Sequence, residues 1–96
     1  MNLYLLRSRA TGWNSYDACV VAAPDEGAAR RVHPAASPYT VWNEAAGWGY
    51  WTPAGAFRQV IVAEWIEDIA NLDVTLIGVA VEGTPQGVVC ASFHAG

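Results

Sequence analysis

The chain contains no lysine and few charged residues of any kind. Five arginines stand against nine acidic residues, the net charge is −4 at pH 7, and charged residues make up only 15% of the 96 positions. An acidic surface repels phosphate backbones at long range, so we expect no direct nucleic-acid partner. Because 53% of the residues are hydrophobic, the composition predicts a folded chain, and its length predicts one domain over residues 1–96.

A long hydrophobic run is missing at the amino terminus. The apolar stretch there covers only residues 3–6 before Arg7 interrupts it. Such a stretch is too short for the core of a signal peptide or for a membrane-spanning helix. We therefore expect a cytoplasmic protein that makes no contact with a membrane.

Cysteine and histidine are scarce. Cys19 and Cys90 both lie in apolar runs, which predicts two buried free thiols, with a disulfide left open if their strands are neighbours. Cys90 and His94 would lie about 13 Å apart on a strand, too far to share a metal. The sequence thus predicts no metal site and no cofactor. His33 follows the carboxyl end of a predicted helix, and the negative end of the helix dipole would stabilise its protonated form.

Motifs of known catalytic sites are also missing. The sequence has no nucleophile elbow, no phosphate-binding glycine loop and no dinucleotide fingerprint. We therefore predict a protein that is not an enzyme. An enzyme that uses Cys19 or Cys90 as nucleophile is the third hypothesis, after two binding functions developed below.

The local patterns predict an α+β fold of order ββαβββ. Residues 2–7 and 16–23 favour two strands of an antiparallel hairpin. A short helix is expected from Pro24 to Val32, because acidic residues stand in its first turn and arginines in its last. Further strands are expected at residues 57–65, 74–81 and 88–93, with a helical turn up to Asn71. We expect residues 74–81 to be a central strand and the last two strands to form a hairpin.

Aromatic residues are concentrated between the helix and the third predicted strand. Residues 35–56 are predicted to form a long irregular loop, and within it residues 42–51 hold three tryptophans. Tryptophan and tyrosine are enriched in binding hot spots, and they also stack on sugars or bases. The interpretation that stands against both binding roles is a small satellite core formed by these side chains under the loop. The predicted contact residues of this segment are Trp42, Trp48, Tyr50 and Trp51.

Acidic side chains lie at the end of the predicted third strand and directly after it. Glu64, Glu67 and Asp68 are close in sequence, and they form either a solvated face or a negative patch that meets a basic partner. General acid–base catalysis by these carboxylates is the remaining alternative. We include these three residues among the predicted partner contacts.

Several segments near the two ends of the chain carry a family resemblance. They are residues 3–7, 16–23, 29–34, 73–78 and 87–96, together with Glu26. In these segments the chain resembles small uncharacterised proteins of bacterial phages and prophages. The resemblance implies a phage accessory protein that brings no catalytic residues with it. Small acidic phage proteins often inhibit host defence, as anti-CRISPR proteins do.

Two binding functions follow from these observations. The leading hypothesis is a non-catalytic phage protein that binds and inhibits a host defence complex through a basic surface. The alternative is a module that binds a sugar or a nucleotide on a platform of Trp48 and Trp51. Exposed sheet edges and aromatic patches also make a homo-oligomer an open hypothesis.

Overall fold

Seven strands, one α-helix and one 3₁₀ helix make up the part of the chain that the structure describes. The structure is a computed structural model, and it describes residues 1–9, 14–35, 39–60, 64–66 and 68–94. In chain order the elements are β1 (Asn2–Arg7), β2 (Ser15–Ala23), α1 (Glu26–Arg30), β3 (Val41–Asn43), β4 (Gly47–Trp51), β5 (Phe57–Gln59), the 3₁₀ helix (Ile69–Asn71), β6 (Asp73–Val79) and β7 (Gly87–His94).

A four-stranded antiparallel sheet of order β6-β1-β2-β7 carries most of the core. Side chains alternate between the two faces of a strand, and β1 shows this clearly. Tyr4 and Leu6 are buried, whereas Leu3 and Leu5 are half-buried and lie outside the core cluster. The inner face therefore bears Tyr4 and Leu6, and the register places Val21 and Cys19 of β2 opposite them. The predicted hairpin of the first two strands is confirmed.

The helix is shorter than the sequence predicts. Asp25 is its N-cap, and the Asp25 carboxylate accepts a hydrogen bond from the Ala28 N–H at 2.8 Å. Pro24 therefore precedes the cap, and its predicted place in the first turn is wrong. The helix ends at Arg30, and Ala29 is its buried contact with the sheet. So short a helix depends on packing rather than on its own propensity.

Arg30 ties this helix to the segment before β6. Its Nη1 donates to the carbonyl oxygens of Ile69 at 2.8 Å and Leu72 at 2.9 Å. Its Nη2 forms an ion pair with Glu26 one turn earlier at 3.1 Å. The guanidinium thus adds a second hydrogen bond to the Ile69 carbonyl oxygen, which also accepts from the Leu72 N–H, and it binds the carbonyl oxygen of Leu72 after the turn. The helical turn predicted up to Asn71 is confirmed as the 3₁₀ helix.

The segment predicted to be an irregular loop contains regular structure. β3 and β4 form a hairpin within it, and with β5 they build a second antiparallel sheet of order β3-β4-β5. The Asn43 side-chain oxygen accepts from the N–H groups of Ala45 and Ala46, and Gly47 has a φ of 83°. These are the residue types that close a tight turn, so local turn chemistry explains the hairpin.

The last two long strands do not pair with each other. β6 hydrogen-bonds to β1 and β7 to β2, so the two strands lie at opposite edges of the sheet. The predicted terminal hairpin and the predicted central position of residues 74–81 are both wrong. The apolar side chains that suggested a central strand are exposed in β6, with Leu76 at 60% and Val79 at 76%.

The strand predicted from residue 57 is also shorter. β5 ends at Gln59, and the predicted continuation through residues 61–63 lies outside the described ranges. Trp65 is buried in the core cluster but belongs to no strand. The described residues form two antiparallel sheets and one short α-helix, a broadly α+β architecture, with seven strands where five were predicted.

Candidate protein-binding hairpin

Trp48 anchors the second sheet to the core. It is only 2% exposed, and its indole Nε1–H donates to the carbonyl oxygen of Ile66 at 3.0 Å. The rings of Trp42 and His33 pack edge-on against it, with centroids 5.2 Å and 5.1 Å away. The sequence analysis predicts that Trp48 contacts a partner, but in the structure its side chain is buried and therefore not accessible to one. Trp42, its half-buried neighbour across the strand, shares this packing role.

The carboxyl end of β4 leaves the core and exposes two aromatic residues. Tyr50 is 43% exposed and Trp51 is 58% exposed. Alternation along the strand places Trp48 and Tyr50 on one face and Trp51 on the other. Trp48 and Trp51 therefore do not form a common platform, and the expected stacking site for a sugar or a nucleotide is not assembled from this pair.

Trp51 is held in place by Phe57 on the next strand. The two residues are register partners in the β4–β5 pair, and their rings meet edge-on with centroids 5.2 Å apart. The connecting turn is closed by a hydrogen bond from the Thr52 N–H to the Ala56 carbonyl oxygen at 2.8 Å, and the Thr52 hydroxyl accepts from the Ala56 N–H. These contacts limit the conformations of an exposed tryptophan and so reduce the entropy lost on binding.

Arg58 is a contact candidate that the sequence analysis missed. It lies directly opposite Tyr50 in the β4–β5 register, and it is exposed. Tryptophan, tyrosine and arginine are the residue types most enriched in hot spots of protein interfaces. We call Tyr50, Trp51 and Arg58 the hairpin triad. Only the strand register brings Arg58 into it, because no local motif in the sequence marks this residue.

The predicted acidic contacts are separated along the fold. Glu64 is exposed, and its carbonyl oxygen accepts from the Tyr16 N–H near the start of β2. Asp68 is exposed and caps the 3₁₀ helix by accepting from the Ala70 N–H at 3.0 Å. Glu67 lies outside the described residues. Two of the three predicted acidic side chains are thus available to a partner, on different elements from the hairpin triad.

Asp68 borders a groove of mixed charge rather than a purely acidic surface. The groove has a volume of about 460 Å³, and its walls include Arg30, Arg31 and Glu44. The Arg31 guanidinium donates to Glu44 and holds the pKa of that carboxyl below its usual value. Since the lining holds two arginines and two carboxylates, of which Arg31 and Glu44 pair directly, the groove presents little net charge to a ligand.

The two cysteines differ in environment. Cys19 is buried and Cys90 is exposed, so the prediction of two buried thiols is correct only for Cys19. Cys90 lies opposite Val20, while Cys19 lies opposite Ala91, which places the two side chains on opposite faces of the sheet. Burial, and to a smaller extent Cys90, raises the pKa of Cys19 to about 12. The Cys19 thiol is therefore a poor nucleophile near neutral pH.

Thiol titration tests this difference. At pH 7.5 and low micromolar protein, an aromatic disulfide reagent is expected to modify Cys90 rapidly and Cys19 only after denaturant is added. The Cys90→Ser variant should show no fast reaction in its folded state. Equal rates for both thiols in the folded wild-type protein would contradict the assignment of Cys19 to the core.

His33 is buried rather than displayed at the helix end. It is 5% exposed, and its Nδ1 accepts from the Ala35 N–H at 3.1 Å. Burial lowers the pKa of His33, and the negative charge of Glu64 opposes this effect. The expected stabilisation of a histidinium by the helix is thus wrong, because desolvation dominates at this position.

Comparisons with other proteins supply no functional assignment. No protein-family model, no curated protein and no solved structure matches the chain. Within the described ranges, no three His, Cys, Asp or Glu side chains are grouped so that they could hold a metal ion. In the same ranges no helix combines the length and the apolar character that crossing a membrane requires.

Proposed function

We propose that the protein is a non-catalytic binding module that docks on another protein through the hairpin triad. The observation that carries the proposal is the exposure of Trp51, whose indole is 58% exposed and packs against Phe57. Trp51 lies at the end of β4, and Trp48 of the same strand fixes that strand to the core. An exposed tryptophan with a fixed neighbour suits insertion into an apolar pocket of a partner. Tyr50 and Arg58 add hydrogen-bonding groups on the other face of the same hairpin.

The partner surface in this proposal is basic around an apolar pocket. The protein carries a net charge of −4, with Glu64 and Asp68 exposed. Charges at the rim of an interface act mainly by steering the encounter and excluding wrong partners. We therefore assign the affinity to the hairpin triad and the choice of a basic partner to the acidic side chains.

The class of partner comes from the resemblance to small phage proteins. Our proposal on this point is a bacterial host-defence complex that the module blocks by occupying its surface. Such complexes that bind nucleic acid present basic surfaces, and an acidic protein is suited to occupy one. No catalytic step is needed for this inhibition, which agrees with the weak nucleophilicity of Cys19.

Affinity capture from lysates of bacteria with active defence systems tests the proposal. Wild type is expected to retain one multisubunit complex, and Trp51→Ala is expected to weaken that binding about thirtyfold, as loss of a hot spot does. Tyr39→Ala is the matched control, because Tyr39 is 79% exposed and lies outside the hairpin triad. Equal loss in both variants, or capture of no complex by wild type, would refute the role of the hairpin.

A charge variant tests the acidic contribution separately. Glu64→Lys is expected to slow association with the captured complex and to flatten its dependence on salt. Glu82→Lys changes the net charge equally at another exposed position between β6 and β7. If the two variants slow association to the same extent, only the total charge matters, and Glu64 is not a contact.

A further inference from the structure

β7 is an edge strand that carries neither charge nor proline, and its one irregularity within the strand is the bulge at Val89. It spans eight residues, and within the part of the chain that the structure describes it pairs only with β2. Its sequence contains no proline, lysine, arginine, aspartate or glutamate. Its side chains are exposed over much of its length, including Val89 at 54% and Phe93 at 45%. Natural proteins blunt solitary edges with charges, proline or bulges. β7 has the bulge at Val89 but no charge and no proline, so its edge remains able to pair.

The charge distribution identifies a second copy of the chain as the occupant. Two molecules that each carry a net charge of −4 repel each other, and a twofold contact brings each surface against its own equivalent. Such a contact is stable only where the surface is uncharged. β7 meets this condition, and an antiparallel pair of identical strands has the twofold symmetry that the contact needs.

The opposite edge of the same sheet does not meet this condition. β6 begins at Asp73, which forms an ion pair with Arg9 at 2.7 Å. This charged pair stands at the end of the strand, where charges typically prevent pairing between edges. Both edge strands expose aliphatic side chains, but only β6 carries a charged pair. We therefore place the contact between copies at β7.

We propose that two copies of the protein pair through β7 in antiparallel register, so that two four-stranded sheets join into one continuous sheet. The paired strands would run for about 26 Å, at about 3.3 Å per residue. The outer face next to β7 has a shallow apolar depression, lined by Leu5, Val20 and Cys90 among others. Joining the sheets brings the two depressions to either side of the new strand pair.

The size of the contact sets the expected strength. A single pair of strands buries less surface than the roughly 800 Å² per partner of a standard stable interface. We therefore expect a dissociable dimer with a dissociation constant in the micromolar range rather than the nanomolar range. The contact lies in a different sheet from the hairpin triad, so it does not depend on the proposed function.

Sedimentation velocity over a concentration series, with two matched variants, tests the proposal. Val89→Lys places a charge on β7, and Ile77→Lys places one on β6, where Ile77 is 50% exposed. Each of these residues lies at a register irregularity of its strand. We expect wild type and Ile77→Lys to dimerise alike, and Val89→Lys to raise the dissociation constant at least about tenfold.

Three outcomes would overturn the proposal: wild type that remains monomeric up to millimolar concentration, Val89→Lys that dimerises like wild type, or Ile77→Lys that weakens the dimer equally. Circular dichroism confirms that each variant is folded before it is scored. Amide hydrogen exchange gives a second readout. Protection of β7 that increases with protein concentration, while that of β6 stays constant, is the expected result.

Discussion

Replacing Gly49 with alanine is expected to destabilise the protein by about 3 kcal/mol, at the upper end of the usual cost of overpacking. A β-carbon at this position would lie 2.6 Å from Cζ of Phe57 and would also collide with the carbonyl oxygen of Arg58. The carbonyl belongs to a paired strand and cannot rotate away, so β5 has to move. A loss of this size lowers Tm by roughly 12 °C or more in a chain of this length.

Gly78→Ala is the matched control for this effect. Gly78 also lies in a strand, but an added β-carbon there would meet no atom within 4 Å. We expect its substitution to leave the free energy of unfolding within about 1 kcal/mol of wild type, because alanine reduces the entropy of the unfolded chain. Denaturant titration of both variants gives the comparison. Equal midpoints for the two variants would show that the close approach of β4 and β5 is not required for stability.

The sequence predicts those parts of the fold that local patterns determine. The first two strands, the approximate place of the helix and the turn before β6 all follow from neighbouring residues. The pairing of β6 and β7 depends on contacts between distant segments instead. A short link between two apolar strands favours a hairpin, but β1 and β2 already form one, and each of these two strands has one free side. β6 and β7 occupy those two sides.

The candidate binding residues also divide into those that local patterns predict and those that depend on distant contacts. Composition identifies the aromatic segment, but it does not separate Trp48 from Trp51. The turn residues between Asn43 and Gly47 could have distinguished the two tryptophans. They predict a hairpin, and therefore a strand after Gly47 whose side chains alternate between two faces. Alternation places Trp48 and Trp51 on opposite faces, but the exposure of Trp51 also requires that the end of β4 leaves the core, since Tyr50 on the face of Trp48 is exposed as well. Arg58 requires the β4–β5 register as well, and no pattern within the segment supplies it.

Replacing Trp48 with alanine is expected to cost about 3–5 kcal/mol of stability, the usual range for removing a large buried aromatic side chain. The indole is 2% exposed and packs against both Trp42 and His33. A small domain has a total stability of about 5–15 kcal/mol, so this variant will be largely unfolded at moderate denaturant. Trp51→Ala, three residues along the same strand, should cost about 1 kcal/mol, mainly the ring contact with Phe57.

Trp48→Phe separates the hydrogen bond from the packing. Phenylalanine retains an aromatic ring in the core but removes the Nε1–H that the Ile66 carbonyl oxygen accepts at 3.0 Å. A buried acceptor left without a donor costs about 1–3 kcal/mol, so the variant should fall between wild type and Trp48→Ala in free energy of unfolding. Because this bond ties the second sheet to residues 64–66, its loss should also increase hydrogen exchange in β4 before global unfolding. If Trp48→Phe matches wild type in both measurements, the anchor is the ring packing alone, and the Ile66 contact is dispensable.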